Sequence, residues 1–392
     1  MSLNTIYDND HVYLNIEVFG PRNVTDLRVP VSYEENRNRA LLDNPSEYYL
    51  SVAKFNISGS AIPIFIMPIR TVADQIANPP PVSTGIVVPS INYTIYTVTL
   101  GHNGDVVEYP IIYTPSFIAF NTPVPNGNGI YPKDEYYYVE HQNDMLRMVN
   151  TALLGAFNDL AAPPVGSEAP YFEYENATKT IRLIAQAAFY LETVPDLTRI
   201  DIWSDDKIYD KFFSGFPFFF DPPAPPILGR FFRFRVTDTP SNYYNPPNLV
   251  PSVPPLYIST PEDYPSAPGW FDLSSIVFLS NTIPVVSEFI GVKSDDGRVI
   301  QRPILTDFTP LLINFGDQSE RYVFNPTADI DYRLVNMIST APLAKIDIQV
   351  FWKDKDGFLI PFLLNQNSLF ELKLLFIKKK HISYDLKRHS YI

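Results

Sequence analysis

The chain has 392 residues, no cysteine, 38 prolines, 28 Phe and 25 Tyr, and a net charge of −13 with an isoelectric point near 4.8. The length exceeds what one typical core needs, so one large domain with an insertion, or two domains, is expected. Absence of cysteine excludes disulfides, thiolate chemistry and cysteine-bound zinc or iron–sulfur sites, and the acidic balance argues against wholesale binding of nucleic acid.

Many prolines beside many aromatic and β-branched residues suit short strands and stiff connections rather than long helices. No apolar run approaches the roughly 18 residues that span a bilayer. The opening Met1-Ser2-Leu3-Asn4 lacks a basic-then-apolar pattern, so no secretory signal is expected. Sequons at Asn23, Asn56, Asn92 and Asn176 are accordingly read as chance.

Residues 1–118 read as strands. His11 to Phe19 alternates and closes on Gly20-Pro21, and Tyr48 to Ile57 closes on Ser58-Gly59. A short run spans Ile62 to Met67. Ile91 to Leu100 meets Asp105 to Tyr109 across Gly101-His102-Asn103-Gly104, and Asn-Gly between alternating runs predicts a hairpin because both residues tolerate positive φ. Residues 119–268 differ. A loop rich in Asn, Pro and Gly (Asn121 to Pro132) precedes a helix over about 138–161. There Met145, Met148, Val149, Ala152, Leu153, Ala156, Phe157 and Leu160 recur at three- and four-residue spacing, and Pro163-Pro164 stops it. Tyr171–Glu175 and Thr180–Ile184 flank the turn Asn176–Lys179 as a second hairpin. An aromatic cluster follows, Phe212-Phe213 and Phe216 to Phe220. The Pro222–Pro226 segment reads as polyproline. From 269 to 377 strands return: Leu273–Leu279, Thr282–Ile290, Arg321–Phe324, Leu343–Trp352, Phe358–Leu364 and Phe370–Ile377. Lys353–Gly357 predicts a hairpin turn between the fourth and fifth.

No catalytic arrangement is visible. The histidines His11, His102, His141, His381 and His389 are scattered, with no zinc-binding spacing. Asn126-Gly-Asn-Gly129 is only a fragment of a nucleotide loop. Asp354-Lys-Asp-Gly357 resembles part of a calcium loop, but Trp352 and Leu363 stand where further ligands belong. Asp201, Asp205, Asp206 and Asp210 form the densest acidic cluster. A solvated turn is the plain reading, and cation binding or acid/base carboxylates, with Asp205 or Asp206 first, the sharper one. Phe212, Phe213, Phe216 and Phe218 fit a buried core or subunit interface, with a ligand contact as the alternative. The last fifteen residues carry Lys378, Lys379, Lys380, Lys387 and Arg388 against Asp385, a net +4. They suit either electrostatic contact with packaged nucleic acid or a solvated terminus guarding a strand edge. No cofactor or metal is expected.

Ile346 to Leu364, a strand ending in Trp, an Asp-Gly turn and a Pro-containing apolar strand, is followed by Phe370-Glu-Leu-Lys-Leu-Leu-Phe-Ile-Lys-Lys-Lys380. This ending resembles that of the minor capsid (penton) proteins of virophages and the related Polinton-like elements. Pro170 to Ile184 resembles their inserted region. The clear motif covers about the last fifty residues and is a strand-and-turn pattern.

The resemblance implies a mainly β protein, an antiparallel jelly-roll β-sandwich with an inserted, more irregular α+β domain. The base would be 1–118 plus 269–377, the outer insertion 119–268, and 378–392 a basic tail. It further implies a structural, non-enzymatic role at the fivefold vertices of an icosahedral capsid. The partners implied are four copies of itself in a homopentamer, the major capsid protein, packaged DNA through the tail, and a host or giant-virus surface ligand. Assembly would take place inside the infected cell. The alternative is a receptor- or glycan-binding head on a similar sandwich, and a third reading is a β-sandwich hydrolase.

Overall fold

A computed structural model of the chain describes residues 11–22, 29–57, 63–68, 93–114, 124–125, 135–139, 141–221, 223, 231–237, 243–244, 257–286, 288–293, 299–308, 322–324, 334–355, 357, 359–364 and 368–380. The protein is predominantly β, and its strand pairings among these residues are antiparallel. It forms two compact units. One gathers Met1–Ile62, Gly127–Pro132 and Leu273–Ile392; the other gathers Pro63–Asn126 and Lys133–Asp272.

The first unit contains two large sheets. One orders His11–Phe19, Leu369–Lys378, Tyr48–Ile57 and Tyr322–Phe324, with Val335–Asn336 also on Tyr48–Ile57. The other orders Glu288–Lys293, Val299–Phe308, Leu273–Leu279, Lys345–Asp354 and Leu359–Pro361, with Ser32–Asn36 also on Lys345–Asp354. Period-two alternation sets what each strand buries: Leu14 and Ile16 face inward while Tyr13, Asn15 and Glu17 face solvent. Phe55 of the first sheet meets Phe278 and Phe308 of the second at ring separations of 5.4 and 5.0 Å. The sheets therefore close on each other as a sandwich. Lys353 pairs with Leu359 and Trp352 with Ile360, and Gly357 has φ +92°. The predicted hairpin is present, with glycine where the turn needs positive φ.

Asp347 ties this unit together locally. Its carboxylate accepts from Ser280 Oγ (2.8 Å), Asn281 N (3.0 Å), Thr282 N (2.9 Å) and Thr282 Oγ1 (2.6 Å). Burial pushes its pKa up, but the donors from Thr282, Ser280 and Asn281 outweigh burial and hold it below the ordinary carboxylate range.

Among the described residues, the second unit has three sheets and one long helix. Its five-stranded sheet orders Phe218–Phe219, Phe231–Phe234, Ile200–Asp205, Tyr93–His102 and Asp105–Ile112. The Tyr93–His102/Asp105–Ile112 hairpin turns through Asn103 (φ +48°) and Gly104 (φ +83°), as the Asn-Gly pair predicts. The four-stranded sheet orders Tyr171–Glu175, Thr180–Gln186, Tyr257–Pro261 and Tyr243–Tyr244; the smallest orders Phe65–Pro68, Glu135–Val139 and Val124–Pro125.

The helix runs Gln142–Asp159 and buries Met145, Met148, Val149, Ala152, Leu153 and Ala156 of the stripe read from the sequence, with Leu146 besides; Tyr138 and Val139, inside the expected helix, belong to the strand Glu135–Val139. Gly155 sits mid-helix because a Cβ there would lie 2.6 Å from the Tyr109 ring.

The boundaries differ from the sequence expectation of 118/119 and 268/269. The hairpin 93–112 belongs to the second unit because Ile200–Asp205 pairs with Tyr93–His102, Trp203 facing Thr99. Strand chemistry is the same on both sides of residue 62, so composition gives no signal there. Most of the Lys293–Gly297 turn, of the 222–226 segment and of 239–256 lies outside the described residues.

Candidate functional site

The fold divides the aromatic run that sequence analysis offered as a contact surface. The backbone winds through a turn, Asp206–Ile208, and a π-helical segment, Tyr209–Phe213, then extends into the edge strand Phe218–Phe219. Phe212 and Phe213 are 0% exposed and Phe216 is 2% exposed. Phe212 packs against Phe65 (4.7 Å) and Trp270 (5.1 Å), Phe213 stacks on Phe172 (4.4 Å), and Phe216 meets Phe234 edge-on (5.5 Å). These three lie in the core of the second unit, the buried-core reading of the sequence: helical winding turns Phe212 and Phe213 inward, and Phe216 follows in the turn after them.

The extended backbone that follows alternates instead. Phe218 and Phe220 are 41% and 61% exposed, and each meets Phe232 edge-on (5.0 and 5.5 Å). Phe219 lies under the guanidinium groups of Arg233 (4.7 Å) and Arg235 (4.6 Å). Arg233 in turn binds Asp221 and Asp201, Arg199 binds Asp201, and Arg235 binds Glu192. The result is a sheet edge with two exposed rings and a guanidinium–carboxylate network. Aromatic residues and arginine are the groups enriched where proteins pack on each other.

The acidic cluster is dispersed by the fold. Asp201 is held by Arg199 and Arg233. Asp205 caps the helical turn after it, accepting from Ile208 N at 2.8 Å. Burial pushes the Asp205 pKa to about 6, against the opposing pull of the Ile208 N–H and Lys207. Among the described residues, no group of three or more His, Asp or Glu side chains is placed to hold a metal ion. The calcium-like Asp354–Gly357 stretch forms the hairpin turn, with Trp352 1% exposed inside its strand. Asn126–Gly129 lies outside the described residues.

Of the basic residues, Lys379 donates to Ser46 O (2.6 Å) and Met337 O (3.0 Å), and its ammonium lies 5.3 Å from the Tyr49 ring. Lys378 lies over Tyr48 at 5.9 Å. Lys380 is exposed, and Lys387 and Arg388 lie outside the described residues.

Sequence reasoning missed an open groove between the long helix and the strand Tyr171–Glu175. Its volume is about 540 Å³, and Leu146, Arg147, Asn150, Leu154, Phe172 and Tyr174 line it. Tyr171–Glu175 is the outer strand of its sheet. Asn150 closes that edge at one point: its Nδ2 donates to Phe172 O (2.8 Å) and its Oδ1 accepts from Phe172 N (2.7 Å). A lone Asn on a helix gives no signal of this in the sequence.

The described residues form two antiparallel β units, one a sandwich and the other carrying an aromatic–arginine sheet edge. The chain belongs to the Sputnik minor capsid protein V18/19 family, whose model matches residues 12–378. It is therefore a minor capsid protein, a structural component of the virion.

Structural protein V19 of Sputnik virophage is 32% identical over 215 residues, which are 54% of this chain and 96% of that protein. Protein V18 of the same virophage is 35% identical over 148 residues, 36% of this chain and 80% of V18. In three dimensions, the chain is similar to one in the 3.5 Å cryo-EM structure of the Sputnik virophage. That match has a TM-score of 0.71 and 31% identity, and covers 95% of this chain and 98% of the other. The mavirus penton protein shares the fold, with a TM-score of 0.56 at 16% identity over 94% of this chain and 99% of that one. No helix among the described residues is long and apolar enough to cross a membrane.

Proposed function

We propose that this chain forms the fivefold vertices of an icosahedral capsid as a closed homopentamer, contacting the major capsid protein around it and performing no catalysis. The observation that carries this reading is the near end-to-end likeness to a chain of the Sputnik virion at 31% identity. Fold likeness to a penton protein supports the vertex position. A fivefold ring needs heterologous side-to-side contacts, and the Phe218–Phe220 edge with Arg233 and Arg235 has the chemistry for one.

Within this reading, the first unit is the jelly-roll base and the second the outer insertion. Ligand contact falls to Phe218 rather than to the buried Phe212, Phe213 and Phe216. DNA contact through the tail falls to Lys380, Lys387 and Arg388 rather than to Lys379, whose ammonium is held by two carbonyls. A second reading, receptor or glycan binding by the outer unit, is favoured by the two exposed rings and compatible with the first.

Light scattering on the purified protein, alone and mixed with the major capsid protein, tests the proposal. A species of five times the 44.6 kDa chain mass, or fivefold vertex density in reconstituted particles, is expected. A protein that stays monomeric and never enters particles overturns it.

A further inference from the structure

Glu262 is 6% exposed and sits where the strand Tyr257–Pro261 ends. Its backbone N–H donates to Ile181 O at 3.1 Å, continuing the ladder in which Pro261 faces Arg182. Its side chain then bends back. Oε2 accepts from Ile181 N (2.9 Å) and Ser266 N (3.3 Å). Oε1 forms a very short contact with Ser266 Oγ. Ser266 Oγ is also 2.7 Å from the carbonyl oxygen of Phe212, which otherwise receives Trp270 Nε1 at 3.2 Å.

The hydroxyl of Ser266 has one proton, yet it stands between two oxygen acceptors, Glu262 Oε1 and Phe212 O. If Glu262 is ionised, that proton serves only one of them, and either the buried carboxylate oxygen or the buried carbonyl loses its Ser266 partner. If Glu262 is protonated on Oε1, every group is satisfied. Oε1–H donates to Ser266 Oγ, Ser266 Oγ–H donates to Phe212 O, and Oε2 is left as the carbonyl oxygen that accepts two N–H groups.

We infer that Glu262 is held as a neutral carboxylic acid in the folded protein, the first donor of a relay through Ser266 to the Phe212 carbonyl, so that this latch on the aromatic segment opens when Glu262 loses its proton.

The surroundings agree. Tyr174 and Tyr209 are the titratable groups that face Glu262 from neighbouring elements, and Asp263 and Tyr264 follow it in its own loop. None of these is a cation. Arg182, beside Ile181, is ion-paired with Glu175, and Lys211 with Asp272. Burial raises the Glu262 pKa above its ordinary 4.5, and the donors Ser266 and Ile181 only partly oppose it. Gly215 permits the close packing, since a Cβ there would lie 2.2 Å from Tyr264 O and 3.1 Å from Glu262 Oε1.

The sign follows from proton linkage. The folded form holds the proton at pH values where the unfolded chain has released it, so stability rises as pH falls from the folded pKa toward 4.5.

The test compares the full chain with Glu262→Gln and Ser266→Ala by urea unfolding from pH 8 to pH 5, followed by the fluorescence of the tryptophans. Infrared difference spectra of wild type against Glu262→Gln provide a second readout. Gln reproduces the neutral acid, with Nε2 as donor and Oε1 as acceptor. Glu262→Gln is expected to be at least as stable as wild type at pH 8 and to show a smaller rise on acidification. The protonated-carboxyl band that wild type retains above pH 4.5 should be absent from it. Ser266→Ala should weaken the protein at all pH values. A Glu262→Gln protein with a lower midpoint at pH 8 and an unchanged pH profile, or a wild type with no such band at any pH above 4.5, overturns the inference.

Discussion

The Asn150 carboxamide and the Phe172 backbone exchange two hydrogen bonds, 2.8 and 2.7 Å long, in the pattern one strand residue makes with another. A helix side chain thereby occupies the place of a neighbouring strand at the rim of a sheet. Open strand rims invite pairing with other chains, and this one is blocked by a residue that cannot propagate a ladder. Asn150→Ala leaves both Phe172 groups without that partner, at a cost of about 1–3 kcal/mol. Urea unfolding should show the loss, and light scattering of the variant at raised concentration should show non-stoichiometric association that wild type lacks.

Phe212 and Phe220 are eight residues apart in one aromatic run and should behave oppositely. Phe212→Ala empties a site in the middle of the second unit and is expected to cost about 3–5 kcal/mol. Phe220→Ser removes a ring that is already 61% exposed and uncovers only part of Phe232, so it should cost less, about 1 kcal/mol. If the sheet edge packs on a neighbouring subunit, Phe220→Ser should nonetheless reduce incorporation into reconstituted particles. Equal incorporation of this variant and wild type would remove the edge from the assembly surface.

Asp347 and Asp205 set opposite pH dependences. The folded pKa of Asp347 lies below its ordinary 3.8, so its stabilisation is fully present above that value and is lost as pH falls through the depressed one. Asp205 has a folded pKa of about 6, above its ordinary 3.8, so stability gains as pH falls from 7 toward 4. Asp205→Asn keeps a capping oxygen and should flatten the profile between pH 7 and 4. Asp347→Asn should flatten it below pH 4 and lower stability at neutral pH by about 1–3 kcal/mol through unsatisfied donors. Chemical unfolding across this pH series distinguishes the two.

Lys379 is held by two carbonyls, which separates its structural role from the charge of the tail beyond it. Lys379→Gln removes donors from Ser46 O and Met337 O and should lower stability by about 1–2 kcal/mol with little change in affinity for DNA. Replacing Lys380, Lys387 and Arg388 together should reduce the salt-dependent slope of DNA binding in a filter or anisotropy assay. A slope unchanged by the triple replacement would exclude the tail from nucleic-acid contact.

Local signals in the sequence were reliable where the chain alone decides the outcome. The Asn103-Gly104 hairpin, the Lys353–Gly357 turn and the stripe from Met145 to Ala156 all form as their spacing predicts. The C-terminal strand-and-turn pattern led to the capsid family that the whole-chain match establishes. What failed depends on distant partners. Nothing near residue 62 announces that the hairpin 93–112 will pair with Ile200–Asp205. Nothing in Phe212-Phe213 tells it apart from Phe218 and Phe220 until the backbone is known to wind at one and extend at the other. The Asn150–Phe172 clamp and the Glu262–Ser266–Phe212 relay span 22 and 54 residues or fewer, yet each joins elements whose packing no local rule foresees.

The sheet that orders His11–Phe19, Leu369–Lys378 and Tyr48–Ile57 has a temporal consequence. His11 faces Ile377 and Phe19 faces Leu369, and among the described residues the first strand has no other neighbour in the sheet. Leu369–Lys378 is also the strand that joins it to Tyr48–Ile57. On the ribosome, residues 11–19 therefore wait for more than 350 residues of synthesis before their partner emerges. Pairs so remote in sequence close slowly, while the Tyr93–Ile112 and Tyr171–Gln186 hairpins are complete long before. That sheet is joined last, so a chain truncated before residue 369 leaves His11–Phe19 and Tyr48–Ile57 unconnected.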